Sequence, residues 1–218
     1  VMRALGTAIE FLNENELIVT GKGLHGLSEP MSVLDAGNSG TTLRLMMGLL
    51  APQPFLSVFS GDASLTRRPM GRVLLPLSEM GARIYGRNVN NNLPLTIVPT
   101  GEKLRGIHYN SPVASAQVKS AILLAGLYAD APTTVTEPYV SRDHTEQMLA
   151  GFGVHLKRTG TSVTVFPVEE GSYRAPDEIT VPGDISSAAY FLVAGSIIKD
   201  SRLLLRNVGI NPTRTGIL

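Results

Sequence analysis

"NSGTTLRLMMGLLA", residues 38–51, decides the fold. A tight polar turn, Gly37-Asn38-Ser39-Gly40, runs into a segment that is apolar on nearly every face. A helix of that kind belongs inside a protein. Its first turn nevertheless carries free backbone amides, hydroxyls and Arg44. The stretch predicts a buried rod with a polar tip.

The same pattern returns in "SAQVKSAILLAGLYA" (115–129) and "ISSAAYFLVAGSII" (185–198). A strand is predicted after each: "FLSVFSGD" (55–62), "TTVTEPYV" (133–140) and "RLLLRNVG" (202–209). A further helix start follows each strand: "TRRPMGRVLLPLSEMGA" (66–82), "DHTEQMLAGFG" (143–153) and "NPTRTGIL" (211–218). A second series keeps the same period. Gly6, Gly81 and Gly153, roughly 70–75 residues apart, each sit just past a helix end and before a strand. Glycine there takes the left-handed cap conformation that other residues resist. A second strand follows each, at 16–21, 95–101 and 162–168, with "RNVNNN" (87–92) and "RTGT" (158–161) as hairpin turns. The repeating unit is βαβαββ. It predicts a mixed α/β (α+β) fold in which sheets ring buried, parallel helices. "MRALG" and "TRTGIL" are expected to be helices cut at the two ends, so that the 218 residues are part of a longer protein.

Converging helix N-termini form an anion site, each favourable contact being worth up to about 1 kcal/mol. Composition excludes several alternatives. The net charge of +1 gives no global attraction to nucleic acid or an acidic membrane. No apolar run reaches the ~20 residues of a membrane span. There is no cysteine, hence no disulfide, thiolate metal site or cysteine nucleophile in this sequence. His25, His108, His144 and His155 show no metal-ligand spacing, so a histidine metal site is not expected. A cytoplasmic location fits.

Arg68 is the sharpest candidate. It precedes Pro69, a residue favoured at a first helical position, and a cation there opposes the dipole unless an anion lies between them. The alternative is a solvated surface arginine. Ser115 opens the second buried helix as ligand contact or N-cap. Gln117 needs a partner for its amide, either a ligand or a neighbouring segment, and Lys119 poses the same question. Asp143 and Glu146 are read as a capping box, with Arg142 free to meet an anion. Gly40 allows either close approach of a ligand or only a tight turn.

Five ordered motifs, "NSGTTLR" (38–44), "RRPMG" (67–71), "SAQVKSA" (115–121), "EPYVSRDHTE" (137–146) and "VPGDISSAAYF" (181–191), resemble the 5-enolpyruvylshikimate-3-phosphate synthase family over essentially the whole chain. The resemblance implies an enolpyruvyl transferase-like fold, an inside-out α/β barrel of βαβαββ units in two domains. It implies transfer of the enolpyruvyl group of phosphoenolpyruvate to the 5-hydroxyl of shikimate 3-phosphate, without cofactor or metal. Residues 1–180 would form an N-terminal-type domain lacking the start of its first unit, and 181–218 the crossover into a second domain. Gly40 and Arg68 would line the phosphoenolpyruvate site, which glyphosate also occupies. Ser115, Ala116 and Gln117 would hold shikimate 3-phosphate, and Arg142 its phosphate, with Thr136 and Tyr139 as weaker candidates. Asn38, Thr41 and Arg44 would support these from behind. The Lys-bearing motif with which the family begins is absent; Ile185 stands where its repeat echo would carry the lysine. The acid–base residues of the C-terminal half are also absent. The chain is thus expected to hold no catalytic residue, to need the other domain as partner, and to be inactive alone. Alternatives are a UDP-N-acetylglucosamine enolpyruvyltransferase and a non-catalytic anion-binding module.

Overall fold

After a 3-10 turn over Met2–Leu5, the chain forms the antiparallel hairpin β1 (Ala8–Phe11) and β2 (Leu17–Thr20) in a computed structural model that describes residues 1–218. Two complete βαβαββ units follow. The first comprises β3 (Leu34–Asp35), α1 (Gly40–Leu50), β4 (Ser57–Ser60), α2 (Gly71–Glu79), β5 (Arg83–Gly86) and β6 (Asn92–Val98). The second comprises β7 (His108–Asn110), α3 (Ala116–Gly126), β8 (Thr133–Thr136), α4 (His144–Gly151), β9 (Leu156–Thr159) and β10 (Ser162–Val165). Their sheets have the same topology, β3-β4-β6-β5 and β7-β8-β10-β9, each with one parallel pair and two antiparallel ones. The sheets remain separate, without closing into a barrel. Gly6, Gly81 and Gly153 have φ of 85°, 100° and 83°, so all three helix ends close through the left-handed residue that the periodicity predicts.

The apolar rods α1 and α3 pack directly on each other. A Cβ on Gly48 would lie 2.1 Å from the Ala121 carbonyl oxygen, so the two backbones touch there. Nearer the N-termini, Gln117 bonds Arg44 and Thr41. Contacts that advance together along both helices mean that α1 and α3 run parallel. Leu43, Met47, Leu50, Ala121, Ile122 and Leu123 belong to the shared core with Phe59, Leu95 and Val135 from the sheets. Each such leucine or methionine contributes roughly 1.5–3 kcal/mol by leaving water.

The structure departs from sequence expectation at several places. Helix α5 (Ile185–Ile197) has the composition of α1 and α3 but buries only Ile185 and Ala188. The strand expected over 202–209 reduces to one parallel bridge, Gly183 to Val208, and 211–218 form turns instead of a helix. Without a sheet neighbour, Leu203 and Leu204 stay exposed. Helix α2 starts at Gly71, not at Pro69. Arg68 is extended, as a residue before proline must be, and Asn91 Oδ1 accepts from the Met70 and Gly71 amides at 3.1 and 2.6 Å. No helix is long and apolar enough to cross a membrane.

Candidate functional site

Ser39 and Ser115 cap the two buried helices: Ser39 Oγ accepts from Thr42 N at 3.1 Å, and Ser115 Oγ from Val118 N at 3.5 Å. Because α1 and α3 are parallel, their free N–H groups and positive dipole ends face the same way. Gln117 joins the tips. Its Oε1 accepts from Arg44 Nη1 at 2.7 Å and its Nε2 donates to Thr41 Oγ1 at 2.7 Å. The partner that the sequence requires for Gln117 is thus α1. Arg44 is half-buried; lost hydration, then repulsion from Arg68 and Arg72, lowers its pKa below the usual arginine value.

Arg68 reaches back over the α1 tip, its Nη2 donating to Asn38 Oδ1 at 2.7 Å and to Ser64 Oγ at 3.2 Å. A Cβ on Gly40 would meet Arg44 Nη1 at 2.8 Å and Arg68 Nη1 at 3.5 Å. Gly40 therefore lets two guanidinium groups close over one helix end. None of Arg44, Arg68, Arg72 and Arg142 forms an ion pair with a carboxylate.

Two open cavities adjoin at Ser115 and Gln117. One, of about 470 Å³, runs from Ser115, Ala116 and Gln117 to Ser141, Arg142 and Arg214. The other, of about 560 Å³, is bounded by Arg44, Arg72, Asn91 and Gln117. The structure thus brings Ser115, Ala116, Gln117 and Arg142 together, with Gly40 and Arg68 joined to them through Arg44. It leaves two candidates outside. The Thr136 hydroxyl is held in the sheet, 2.9 Å from His108 Nε2 and 2.7 Å from Ser162 Oγ. Tyr139 is exposed and lines neither cavity. Sequence reasoning misses Arg72, Asn91 and Arg214. Only Arg214 carries a signal, because "PTRTG" echoes "TRRPMG" in the repeat.

The capping reading of Asp143 and Glu146 is wrong. Asp143 stands at the N-cap of α4 without capping it. Its carboxylate accepts from Asn211 Nδ2 at 2.7 Å, Gln147 Nε2 at 2.8 Å and Arg158 Nη2 at 3.0 Å. Glu146 is buried against Lys119 Nζ, 2.8 Å from its Oε1. That is an ion-pair distance without hydrogen-bond alignment, so neither Glu146 oxygen has a hydrogen-bond donor. Longer-range cations and amides outcompete the local backbone for both side chains.

An apolar hollow of about 290 Å³ lies at the opposite, C-terminal ends of the buried helices, lined by Leu49, Leu127, Tyr128 and Phe152. Its chemistry does not suit an anion, and the polar cleft is the candidate site.

The whole chain, residues 1–218, matches the family model for EPSP synthase (3-phosphoshikimate 1-carboxyvinyltransferase). The chain belongs to the EPSP synthase family. It is similar to the 3-phosphoshikimate 1-carboxyvinyltransferase of Desulforudis audaxviator, 59% identical over 99% of this chain and 49% of that protein. The Bacillus thuringiensis protein of the same name is 59% identical over 94% of this chain and 47% of its own length. A solved EPSP synthase from Acinetobacter baumannii is 47% identical, with a TM-score of 0.89 over 99% of this chain and 47% of that one. The chain spans about half the length of the relatives it matches. In this member of the EPSP synthase family the two cavities are lined by arginines, amides and hydroxyls, with no carboxylate and no histidine. Such a wall can bind and orient an anion. It offers no group suited to proton transfer near neutral pH.

Proposed function

We propose that this chain forms the anion-binding wall of an EPSP synthase cleft. The complete protein transfers the enolpyruvyl group of phosphoenolpyruvate to the 5-hydroxyl of shikimate 3-phosphate and releases phosphate. The observation that carries this reading is the joined tips of α1 and α3, where Gln117 bridges to Arg44 among arginines that have no carboxylate partner. Shikimate 3-phosphate lies against Ser115, Ala116 and Gln117 with its phosphate toward Arg142. Phosphoenolpyruvate lies toward Gly40 and Arg68.

Enolpyruvyl transfer needs a proton delivered to the methylene carbon and one removed from the attacking hydroxyl. It also needs developing charge to be stabilised away from water. The acid, the base and the closing wall belong to the half of the relatives that this chain does not span, and that half is its partner. The protein works in the cytoplasm.

Calorimetry with the isolated chain tests the reading against shikimate 3-phosphate, UDP-N-acetylglucosamine and inorganic phosphate. Weak binding that favours shikimate 3-phosphate, without turnover when phosphoenolpyruvate is added, is the expected result. Preference for the nucleotide sugar points to the sister transferase. Equal affinity for all three reduces the cleft to a general anion module, and near-normal turnover refutes the division of labour.

A further inference from the structure

Behind the cleft wall lies a charge cluster that no ligand contact accounts for. Lys119 Nζ sits 3.0 Å from Glu137 Oε2 and 2.8 Å from Glu146 Oε1, with all three side chains at most 3% exposed. A buried ion pair offsets its desolvation best where further hydrogen bonds satisfy its remaining lone pairs. Glu137 meets that condition with both oxygens. Its Oε1 accepts from the Ser115 backbone N–H at 2.8 Å. Its Oε2 accepts from Ser141 Oγ at 2.7 Å and lies 3.4 Å from the Ser141 amide. Ser115 is the N-cap of α3, and Ser141 is the residue before Arg142. One carboxylate therefore joins two walls of the cavity that holds Ser115, Gln117 and Arg142, while Glu137 itself does not line it. All its neighbours are donors. An amide in its place would turn an N–H₂ group toward at least one of them.

We propose that Glu137 is a positioning residue: pinned by Lys119, it fixes the distance between the α3 tip and Arg142, and so sets the preference of the site for a phosphorylated ligand. The proposal rests on the reading above, in which Arg142 faces the ligand's phosphate.

The test compares the wild-type chain with Glu137→Gln, Glu137→Ala and the triple variant Lys119→Met/Glu137→Gln/Glu146→Gln. Amide hydrogen exchange reads the tie directly. Loss of protection at Ser141 and Ser115 by at least about tenfold, with Ile122 and Leu123 unchanged, supports it. Unchanged protection, or loss spread evenly along α3, overturns it. Calorimetry reads the consequence. The affinity ratio of shikimate 3-phosphate to shikimate should fall at least about fivefold, with shikimate affinity nearly constant. An equal fall for both ligands means that Glu137 only stabilises the fold. Should Glu137→Ala not fold, the triple variant decides, because it leaves no unpaired charge in the buried cluster. Positioning predicts recovered stability with a ratio that stays low; a ratio that recovers with stability overturns the proposal. A wild-type chain with no preference for the phosphorylated ligand counts against the functional reading alone, and the exchange experiment still decides the tie.

Discussion

Helices α3 and α5 open on similar sequences, and their surroundings could hardly differ more. α3 buries Val118 through Leu123 between α1 and its own sheet. α5 leaves Tyr190 80% and Ile197 78% exposed, although its residues are no less apolar than those of α3. α3 is followed by a strand that pairs on both sides, whereas the segment after α5 is held by one bridge. An all-apolar helix thus encodes a demand for neighbours. Burial is realised only where a sheet and a second helix meet that demand.

The largest expected difference between the two helices comes from substituting one side chain in each. Lys119→Met leaves Glu137 and Glu146 buried side by side without their shared cation. Removing one member of such a cluster costs about 3–5 kcal/mol. The exposed Tyr190 in α5, changed to Met, should move stability by less than about 0.5 kcal/mol. Urea unfolding checks both through the midpoint at constant slope. A Lys119→Met midpoint equal to that of wild type would mean that the cluster does not hold the α3 tip.

A smaller effect, of opposite sign in the two regions, comes from glycine. Gly48 of α1 faces the Ala121 backbone of α3, where an added Cβ at 2.1 Å has no room. Gly48→Ala should therefore separate α1 from α3, at about 1–3 kcal/mol. In α5 an added Cβ on Gly195 meets the Leu203 side chain at 2.8 Å, and a flexible end moves aside. Gly195→Ala should be neutral, or stabilise by up to about 1 kcal/mol through helix propensity. Thermal melts of the two variants, followed by circular dichroism, would sink the contrast if both fell together.

These pairs also show what a linear reading captures. The buried rods and the left-handed glycines at 6, 81 and 153 follow from the repeat, whereas the placing of Gln117 and Arg142 at one cavity follows from the family resemblance. The Lys119–Glu137 contact does not, because the partners lie on different elements and only the fold sets their distance. Asn91 capping α2 from the β5–β6 connection is invisible for the same reason. Asp143 and Glu146 mislead because a capping box is a local motif, and local motifs lose to a buried ammonium or a charge-assisted tertiary bond. The solvation of α5 is illegible too, since its sequence matches that of a core helix.

The smallest effect lies at the link between the two regions. Asn211, in the segment after α5, donates to Asp143 at the start of α4. Burial pushes the Asp143 carboxyl up, but hydrogen bonds from Asn211, Gln147 and Arg158, with the Arg158 charge, outweigh it and hold the group at about 2, below its ordinary 3.8. A carboxyl whose folded value is depressed adds stability that is complete above its unfolded value and disappears as pH falls through the folded one. The window is therefore pH 4 down to about 2. Solvent screens this partly exposed group, so Asn211→Ala should cost only about 1 kcal/mol at pH 7. The same variant should raise the Asp143 titration midpoint toward its ordinary value. Its stability deficit should close as wild type and variant are both brought below pH 2. Carboxyl NMR titration, paired with unfolding at several pH values, measures both quantities. A deficit that persists undiminished in acid would place the Asn211 contribution in packing, and would make the link between the two regions independent of charge.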